Sequence, residues 1–164
     1  MHDFIQQFFR HDSGPVVQFL KYAIAGGVAT AVHIVLFHIA AWKAFPALKA
    51  NDTFVKLLKL EVPEVSDSRR SRNSMISNLI AFLFSNMTAY VLNIYWVFQP
   101  GRHSWYVEVG MFYAVSGFSI FLGTSVMGYL IAKRHVRTTY AFCSNLVTAL
   151  IFNFALRKFV IFKG

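Results

Sequence analysis

Residues 22–42 read YAIAGGVATAVHIVLFHIAAW and contain no formally charged side chain. At 1.5 Å per residue this stretch, as a helix, is about 31 Å long, close to the thickness of a bilayer's hydrocarbon core. It is too long and too apolar on all sides for a core helix of a small soluble protein. The stretch therefore predicts a helix that spans a membrane.

Three more apolar runs of similar length follow, and the composition agrees with them. The chain has 164 residues, of which 56% are hydrophobic and only 14% charged, whereas soluble domains carry about 25% charged residues. We therefore expect one membrane domain over residues 1–164 with four spans. The expected spans are about 19–42, 75–98, 107–132 and 138–162, with one long loop at 43–74.

Two pairs of segments in the chain resemble each other. Residues 22–27 (YAIAGG) are similar to 113–118 (YAVSGF), and residues 90–98 (YVLNIYWVF) are similar to 154–162 (FALRKFVIF). Because the first and third spans must run the same way, this pattern predicts a two-helix hairpin repeated in parallel. The predicted fold class is an all-α membrane protein with four transmembrane helices as two such hairpins.

Short interfacial helices are expected in the connections. Residues 2–12 carry Phe and Ile at helical spacing before the break at Gly14-Pro15. In the long loop, Asn51-Asp52 can cap a short helix whose Phe54, Leu57 and Leu58 face one way and whose lysines face another. This loop helix suits either water or a membrane surface.

Polar side chains inside the spans are candidate substrate contacts, because a polar group at bilayer depth normally faces protein, water or substrate. They recur at helical spacing and so share faces. The equally weighted alternative is ordinary helix packing, in which such residues bond their neighbours. The stripes are Gly26, Thr30 and His33 in the first span, Asn78, Ser85, Asn86 and Asn93 in the second, and Asn145, Asn153 and Arg157 in the fourth.

Basic residues stand at the span ends that face the same side as the termini. Lys21, Arg157 and Lys158 are predicted to contact a phosphate head group, for which arginine offers a planar fork and lysine a point charge. The alternative is general anchoring to anionic phospholipid. With a formal net charge of +9 the chain is basic, but it lacks the soluble basic face of a nucleic-acid binder.

Catalysis is not expected. The carboxylates lie in the termini, the long loop and at Glu108, so no acidic pair is available for acid–base chemistry. His33 and His38 have the wrong spacing for a metal site on one helix, and the single Cys143 excludes an intramolecular disulfide. We expect no enzyme activity, no cofactor and no metal.

Three segments make the chain similar to the GtrA-like family of small four-helix membrane proteins: residues 19–37, 77–98 and 152–162. Gly26, Gly27 and Thr30 match its first span, and Asn93, Trp96 and Phe98 match its closing Asn-x-x-aromatic-x-Phe. At the end of the fourth span, Phe159 and Phe162 are similar to the aromatic residues of that ending, and Arg157 and Lys158 stand next to them. Ile94 and Tyr95 stand where a basic residue usually follows the asparagine, and the loop 43–74 is longer than expected.

The resemblance implies translocation of a polyprenyl-phosphate-linked monosaccharide across the cytoplasmic membrane, for cell-surface polysaccharide or glycolipid synthesis. The implied partners are that lipid, membrane phospholipid and a glycosyltransferase. A non-transporting anchor or partner subunit of the glycosyltransferase remains the alternative. A small multidrug exporter has similar size, but it relies on an acidic residue in the first span, and residues 22–42 have none.

Four spans make a thin bundle, so a homo-oligomer is expected, with a seam at Gly110–Gly117–Thr124 or Gly26–Thr30.

Two arguments on topology conflict. Ten Lys and Arg residues on the loop side against six on the terminal side favour cytoplasmic loops. The resemblance implies cytoplasmic termini, and we follow it because four of the ten lie in the part of the unusual loop that precedes its final arginines. The expected location is the cytoplasmic (inner) membrane, with several spans.

Overall fold

The computed structural model describes residues 7–134 and 138–163, and throughout this part of the chain the regular secondary structure is helical. Apart from residues 7–9, which are also helical, five α-helices follow one another in the described residues; four of them overlap the predicted spans and one lies in the long loop. They are α1 (Pro15–Ile39), α2 (Thr53–Leu58), α3 (Asp67–Leu92), α4 (Trp105–Arg134) and α5 (Thr138–Leu156). The all-helical part of the predicted fold class is thus confirmed.

Among the residues that the structure describes, two helices are long and apolar enough to cross a membrane: Pro15–Ala44 and Ser68–Val97, with 30 residues each. In the most apolar 18-residue stretch of each helix, only 11% of the residues are buried in the first helix and 33% in the second. Their aliphatic side chains therefore point outward, as Ile34 and Leu79 do, whereas the core helix of a soluble protein would bury them. Outward-facing apolar surface of this kind suits lipid.

The helix starts follow local signals. Pro15 occupies the first position of α1, where its missing N–H is not needed. α3 begins at Asp67, eight residues before the predicted span, so the arginine-rich stretch is helical rather than a loop. The reason is a cap: Ser66 Oγ accepts the N–H of Arg69 at 3.5 Å, and Ser66 O accepts that of Arg70 at 2.8 Å.

Three helices close with one π-helical turn followed by a phenylalanine. The turns are Ala40–Ala44, Asn93–Val97 and Arg157–Ile161. In each, the N–H of the phenylalanine donates to the carbonyl of the first residue of the turn, over 2.8–2.9 Å. The last two turns belong to the two segments that resemble each other in sequence, so the resemblance extends to backbone geometry.

The chain divides into two compact units, which we describe separately. The first comprises Met1–Ala25 and Tyr90–Gly164. In it α4 and α5 pack antiparallel, because Ser116 contacts Arg157 while Ser119, further along α4, contacts Asn153, nearer the start of α5. Its aromatic core is fully buried and contains Phe98, Phe112 and Phe162.

The second unit is Gly26–Ala89, and it contains the long loop. The loop is folded: Val55 of α2 is buried with Ala41, Ala47 and Leu48. Leu57 and Leu58 are both exposed, as they would be on a shared outer face, whereas Phe54 stacks on His38 and Val55, which was not part of the predicted face, is buried. The predicted cap also differs, because the Asp52 carboxylate accepts the N–H of Lys49, at 2.6 Å, instead of capping α2.

Candidate functional site

Arg157 is the most unusual of the predicted site residues, because it is a buried cation. It begins the π turn after α5 and is only 6% exposed. Its Nη2 donates to Ser116 Oγ at 2.9 Å, and its guanidinium carbon lies 3.7 Å from the ring centroid of Phe112 and 5.4 Å from that of Tyr22. The two rings supply cation–π stabilisation in place of water.

The hydrogen-bonding capacity of Arg157 is only partly used. Its Nε is buried and has no hydrogen-bond partner. Within residues 7–134 and 138–163, no carboxylate forms an ion pair with the guanidinium. Leaving a buried charge without a counter-ion is costly, so this guanidinium is suited to an anion from outside the chain.

Lys158 is held by a buried amide that the sequence interpretation missed. Lys158 Nζ donates to Gln18 Oε1 at 2.6 Å, and Gln18 Nε2 donates to the carbonyl of Val97 at 3.2 Å. Gln18, 2% exposed, therefore links the start of α1 to the last residue of one π turn, Val97, and to the second residue of another, Lys158. A lone glutamine just before the first apolar run was the signal in the sequence.

Lys21 is completely buried beneath the residues that precede α1. Its Nζ donates to the carbonyl of Arg10 at 2.7 Å and to Ser13 Oγ at 3.4 Å, and it lies 5.9 Å from the ring centroid of Trp96. Trp96 Nε1 in turn donates to the carbonyl of Phe8 at 2.8 Å. Lys21 thus ties the N-terminal segment to the end of the second span, in addition to any role with a head group.

The predicted asparagines of the first unit have different surroundings. Asn93 is 1% exposed and opens the π turn that precedes Phe98. Asn153 Oδ1 accepts a hydrogen bond from Ser119 Oγ at 2.9 Å, so this amide joins α4 to α5. This hydrogen bond is of the helix-packing kind that the alternative describes, and it involves only the Oδ1 atom of the amide. For Asn145 the structure describes only the backbone, which belongs to α5, and not the side chain.

Gly26, Thr30, His33 and Asn86 belong to the second unit, apart from the basic residues of the first. Thr30 Oγ1 donates to the carbonyl of Gly26 in its own helix, at 2.9 Å. His33 has both ring nitrogens engaged, Nδ1 with Ser85 Oγ and Nε2 with Asn78 Oδ1, each at 3.1 Å. Asn86 is 7% exposed on the helix that carries Ser85. The stripes predicted in the first and second spans therefore meet through His33.

The predicted small-residue seams are open rather than closely packed within the chain. A Cβ added at Gly26, Gly110 or Gly117 would meet nothing within 4 Å. For Thr124 the structure describes only the backbone, which belongs to α4. The glycines thus leave room on the helix surface, and the expected homo-oligomer stays a prediction.

Pockets line the long loop of the second unit. One has a volume of about 430 Å³ and is formed by residues 48–51, 62–65 and 70. Another, of about 340 Å³, lies between Phe37, His38 and the start of α2. Neither includes a predicted site residue, and the sequence analysis did not predict cavities in the long loop.

The chain matches the family described as GtrA/DPMS, transmembrane domain, over residues 65–162. No curated protein and no solved structure is significantly similar to the chain. The match covers more than half of the chain, including α4, α5 and two π turns, and it confirms the resemblance seen in residues 77–98 and 152–162. The chain therefore belongs to the GtrA/DPMS transmembrane-domain family and is a membrane protein.

Proposed function

We propose that this protein translocates a polyprenyl-phosphate-linked monosaccharide across the cytoplasmic membrane, for cell-surface polysaccharide or glycolipid synthesis. Membership of the GtrA/DPMS family supports the substrate class. The observation that carries the proposal for this chain is the buried guanidinium of Arg157, which has aromatic neighbours, no carboxylate partner among the described residues and an unused Nε.

A phosphate diester matches what Arg157 lacks. Its oxygens accept two parallel hydrogen bonds from a guanidinium edge, and its negative charge offsets the buried positive one. Ser116, hydrogen-bonded to Nη2, holds the fork in place, while Phe112 and Tyr22 keep water away from its face. Lys158 and Lys21 add positive charge to the same unit.

The rest of the substrate needs amides for the sugar and an apolar surface for the tail. We assign the sugar to the polar stripe residues, with Asn93 and Asn153 in the first unit and Thr30, His33 and Asn86 in the second. Gly26 lets the sugar approach the backbone, because no side chain fills the space around it. The outward aliphatic faces of α1 and α3 suit both the polyprenyl tail and membrane phospholipid.

We extend the architecture in the same way. In the proposal, α1, α3, α4 and α5 are four spans that form two hairpins repeated in parallel, with interfacial helices and cytoplasmic termini. The matching π turns before Phe98 and Phe162 support the repeat. Two or more copies form the working protein, and translocation involves no bond chemistry, so the protein is a carrier rather than an enzyme.

The test is uptake of a short-chain polyprenyl-phosphate hexose, radiolabelled in the sugar, into sealed vesicles that contain the purified protein. We expect Arg157→Ala to lower the initial rate about tenfold or more, since a hydrogen bond to a charged group contributes about 1.5–3 kcal/mol. Arg157→Lys should retain part of the rate, because it keeps the charge but loses the fork.

Lys163→Ala is the matched control, since it removes an exposed cation of the same unit and should leave the rate unchanged. Ser116→Ala is a second variant that keeps Arg157 but frees its Nη2, and it should lower the rate less than Arg157→Ala. A wild-type rate for Arg157→Ala, at equal protein content in the vesicles, would refute the phosphate assignment.

The second candidate function is a membrane anchor or partner subunit of a glycosyltransferase. The hydrogen bonds of His33 and Asn153 favour it, because there the polar stripes connect helices, as a scaffold requires. Its test is to delete the protein and to locate the glycosyltransferase by fractionation. Loss of the enzyme from the membrane supports the anchor, and retention together with loss of surface glycosylation supports the carrier.

A further inference from the structure

The loop helix α2 is attached to the last turns of α1. The ring of Phe54 lies 4.1 Å from the ring of His38, centroid to centroid, and Val55 is buried against Ala41. Downstream of α2, the carbonyl of Glu61 accepts a hydrogen bond from Trp42 Nε1 at 3.0 Å. The segment thus folds back along the helix it has just left.

This attachment fixes the depth of α2 relative to the span. His38 and Ala41 lie inside the apolar helix Pro15–Ala44. His38 is six residues before its end, which at 1.5 Å per residue is about 9 Å below it. Where the helix Pro15–Ala44 crosses a bilayer, we therefore expect α2 beside its final turns, at the level of lipid head groups and the first methylenes.

The outer face of α2 is apolar and is flanked by cations. Leu57 is 75% exposed and Leu58 52%, and Lys56 and Lys59 beside them are exposed. Trp42, which packs against the buried cluster that contains Val55, has the ammonium of Lys43 over its ring, at 3.7 Å. Leucines directed into acyl chains, with lysines at the phosphates and a tryptophan at the boundary, form the usual pattern of an interfacial anchor.

We propose that α2 docks onto the membrane surface through Leu57 and Leu58 and binds anionic phospholipid through Lys56 and Lys59. The depth of α2 selects lipid as the occupant, because lipid covers whatever lies beside the last turns of a span. The charge of the lysines selects anionic head groups. This surface is separate from Arg157, and the proposal does not depend on translocation.

The test places a polarity-sensitive fluorophore on α2. The single cysteine is first removed as Cys143→Ala, and Leu57→Cys, Leu58→Cys and the control Ser68→Cys are then labelled one at a time. The full-length protein is reconstituted into vesicles of phosphatidylcholine with phosphatidylglycerol. We expect blue-shifted emission from positions 57 and 58, quenching by lipids with a nitroxide near the head group, and neither effect at position 68.

The charge is tested in the Leu57→Cys protein by adding Lys56→Glu and Lys59→Glu. Quenching should be stronger with phosphatidylglycerol than in phosphatidylcholine alone, and the double charge reversal should abolish that difference. Equal quenching in both lipids before the reversal would refute binding of anionic lipid. Water-like emission at 57 and 58 would refute docking altogether, and protection that arises only after other membrane proteins are added would assign the face to a protein partner.

Discussion

The rings of Phe98 and Phe162 are stacked, with centroids 5.2 Å apart and planes inclined by 15°. Each ring follows a π turn, and each is completely buried. One residue further on, the N–H of Lys163 donates to the carbonyl of Gln99 at 2.9 Å. The ends of the second and fourth predicted spans are therefore joined at corresponding positions of the internal repeat.

This stack should be a major source of stability in the first unit. Phe98→Ala and Phe162→Ala are each expected to lower the free energy of unfolding by about 3 kcal/mol, because each substitution leaves a cavity in the packed core. The double variant should lose about 1 kcal/mol less than the sum, since the rings contact each other. Reversible unfolding in mixed detergent micelles measures all three values.

Phe159→Ala is the control for the stack, because Phe159 lies in the same turn but is 66% exposed. It should change stability by a few tenths of a kcal/mol. If the losses in unfolding free energy of Phe98→Ala and Phe162→Ala are fully additive in the double variant, the two rings are not energetically coupled.

Gln18 should matter through Lys158. Gln18→Leu preserves the approximate size but removes both hydrogen bonds, so we expect it to destabilise the protein by about 2 kcal/mol. Uptake by Gln18→Leu and Lys158→Ala should fall to a similar degree. Adding Lys158→Ala to Gln18→Leu should then cause little further loss of uptake. If the two substitutions lower uptake independently, Gln18 does not act through Lys158.

Glu108 organises the turn before α4. Its Oε1 accepts the N–H groups of Gly101, Arg102 and His103 at 2.8, 3.1 and 3.4 Å, and the carboxylate is 2% exposed. Glu108→Ala leaves these donors without that acceptor, so we expect a loss of about 2–3 kcal/mol in the free energy of unfolding.

Glu108→Gln is the informative comparison at this position. Its amide oxygen still accepts hydrogen bonds but carries no charge, so the loss should be about half as large. An unchanged midpoint of thermal unfolding for Glu108→Ala would mean that the turn at Gly101, where φ is +94°, holds its shape without the carboxylate.

His33 offers a way to separate packing from substrate binding. Removing its two hydrogen bonds, as in His33→Ala, should cost about 1 kcal/mol of stability, since bonds between membrane helices average about 0.6 kcal/mol. If the imidazole also contacts the sugar, uptake should fall more in His33→Ala than in Ser85→Ala. Equal uptake by the two variants would assign His33 to helix packing alone.

Topology is open to a direct measurement. In a Cys143→Ala background, His11→Cys and Ser68→Cys place single thiols at exposed positions on opposite sides of the first span. We expect an impermeant maleimide to label position 68 in intact cells and position 11 only after the membrane is opened. The reverse pattern would favour the positive-inside count over cytoplasmic termini.

Several features of this protein could be predicted from the sequence because they depend on local composition. The uncharged run from Tyr22 to Trp42 indicated a span, Gly14-Pro15 indicated its start, and the similarity of residues 90–98 to 154–162 indicated structures that share a π turn. Hydropathy and repeated letters require no knowledge of distant contacts, so these predictions follow from the chain itself.

Only the tertiary structure decided which partner each polar group has. Phe112 stacks on Arg157, and Lys158 bonds to Gln18, although the members of each pair are far apart in sequence. In α2, Val55 rather than Leu57 is buried, because the short helix folds back onto the end of α1. Hydropathy gives the depth of a side chain in the membrane but not its direction. The direction is set by the packing of neighbouring helices, because a buried polar group takes whichever partner that packing brings within reach.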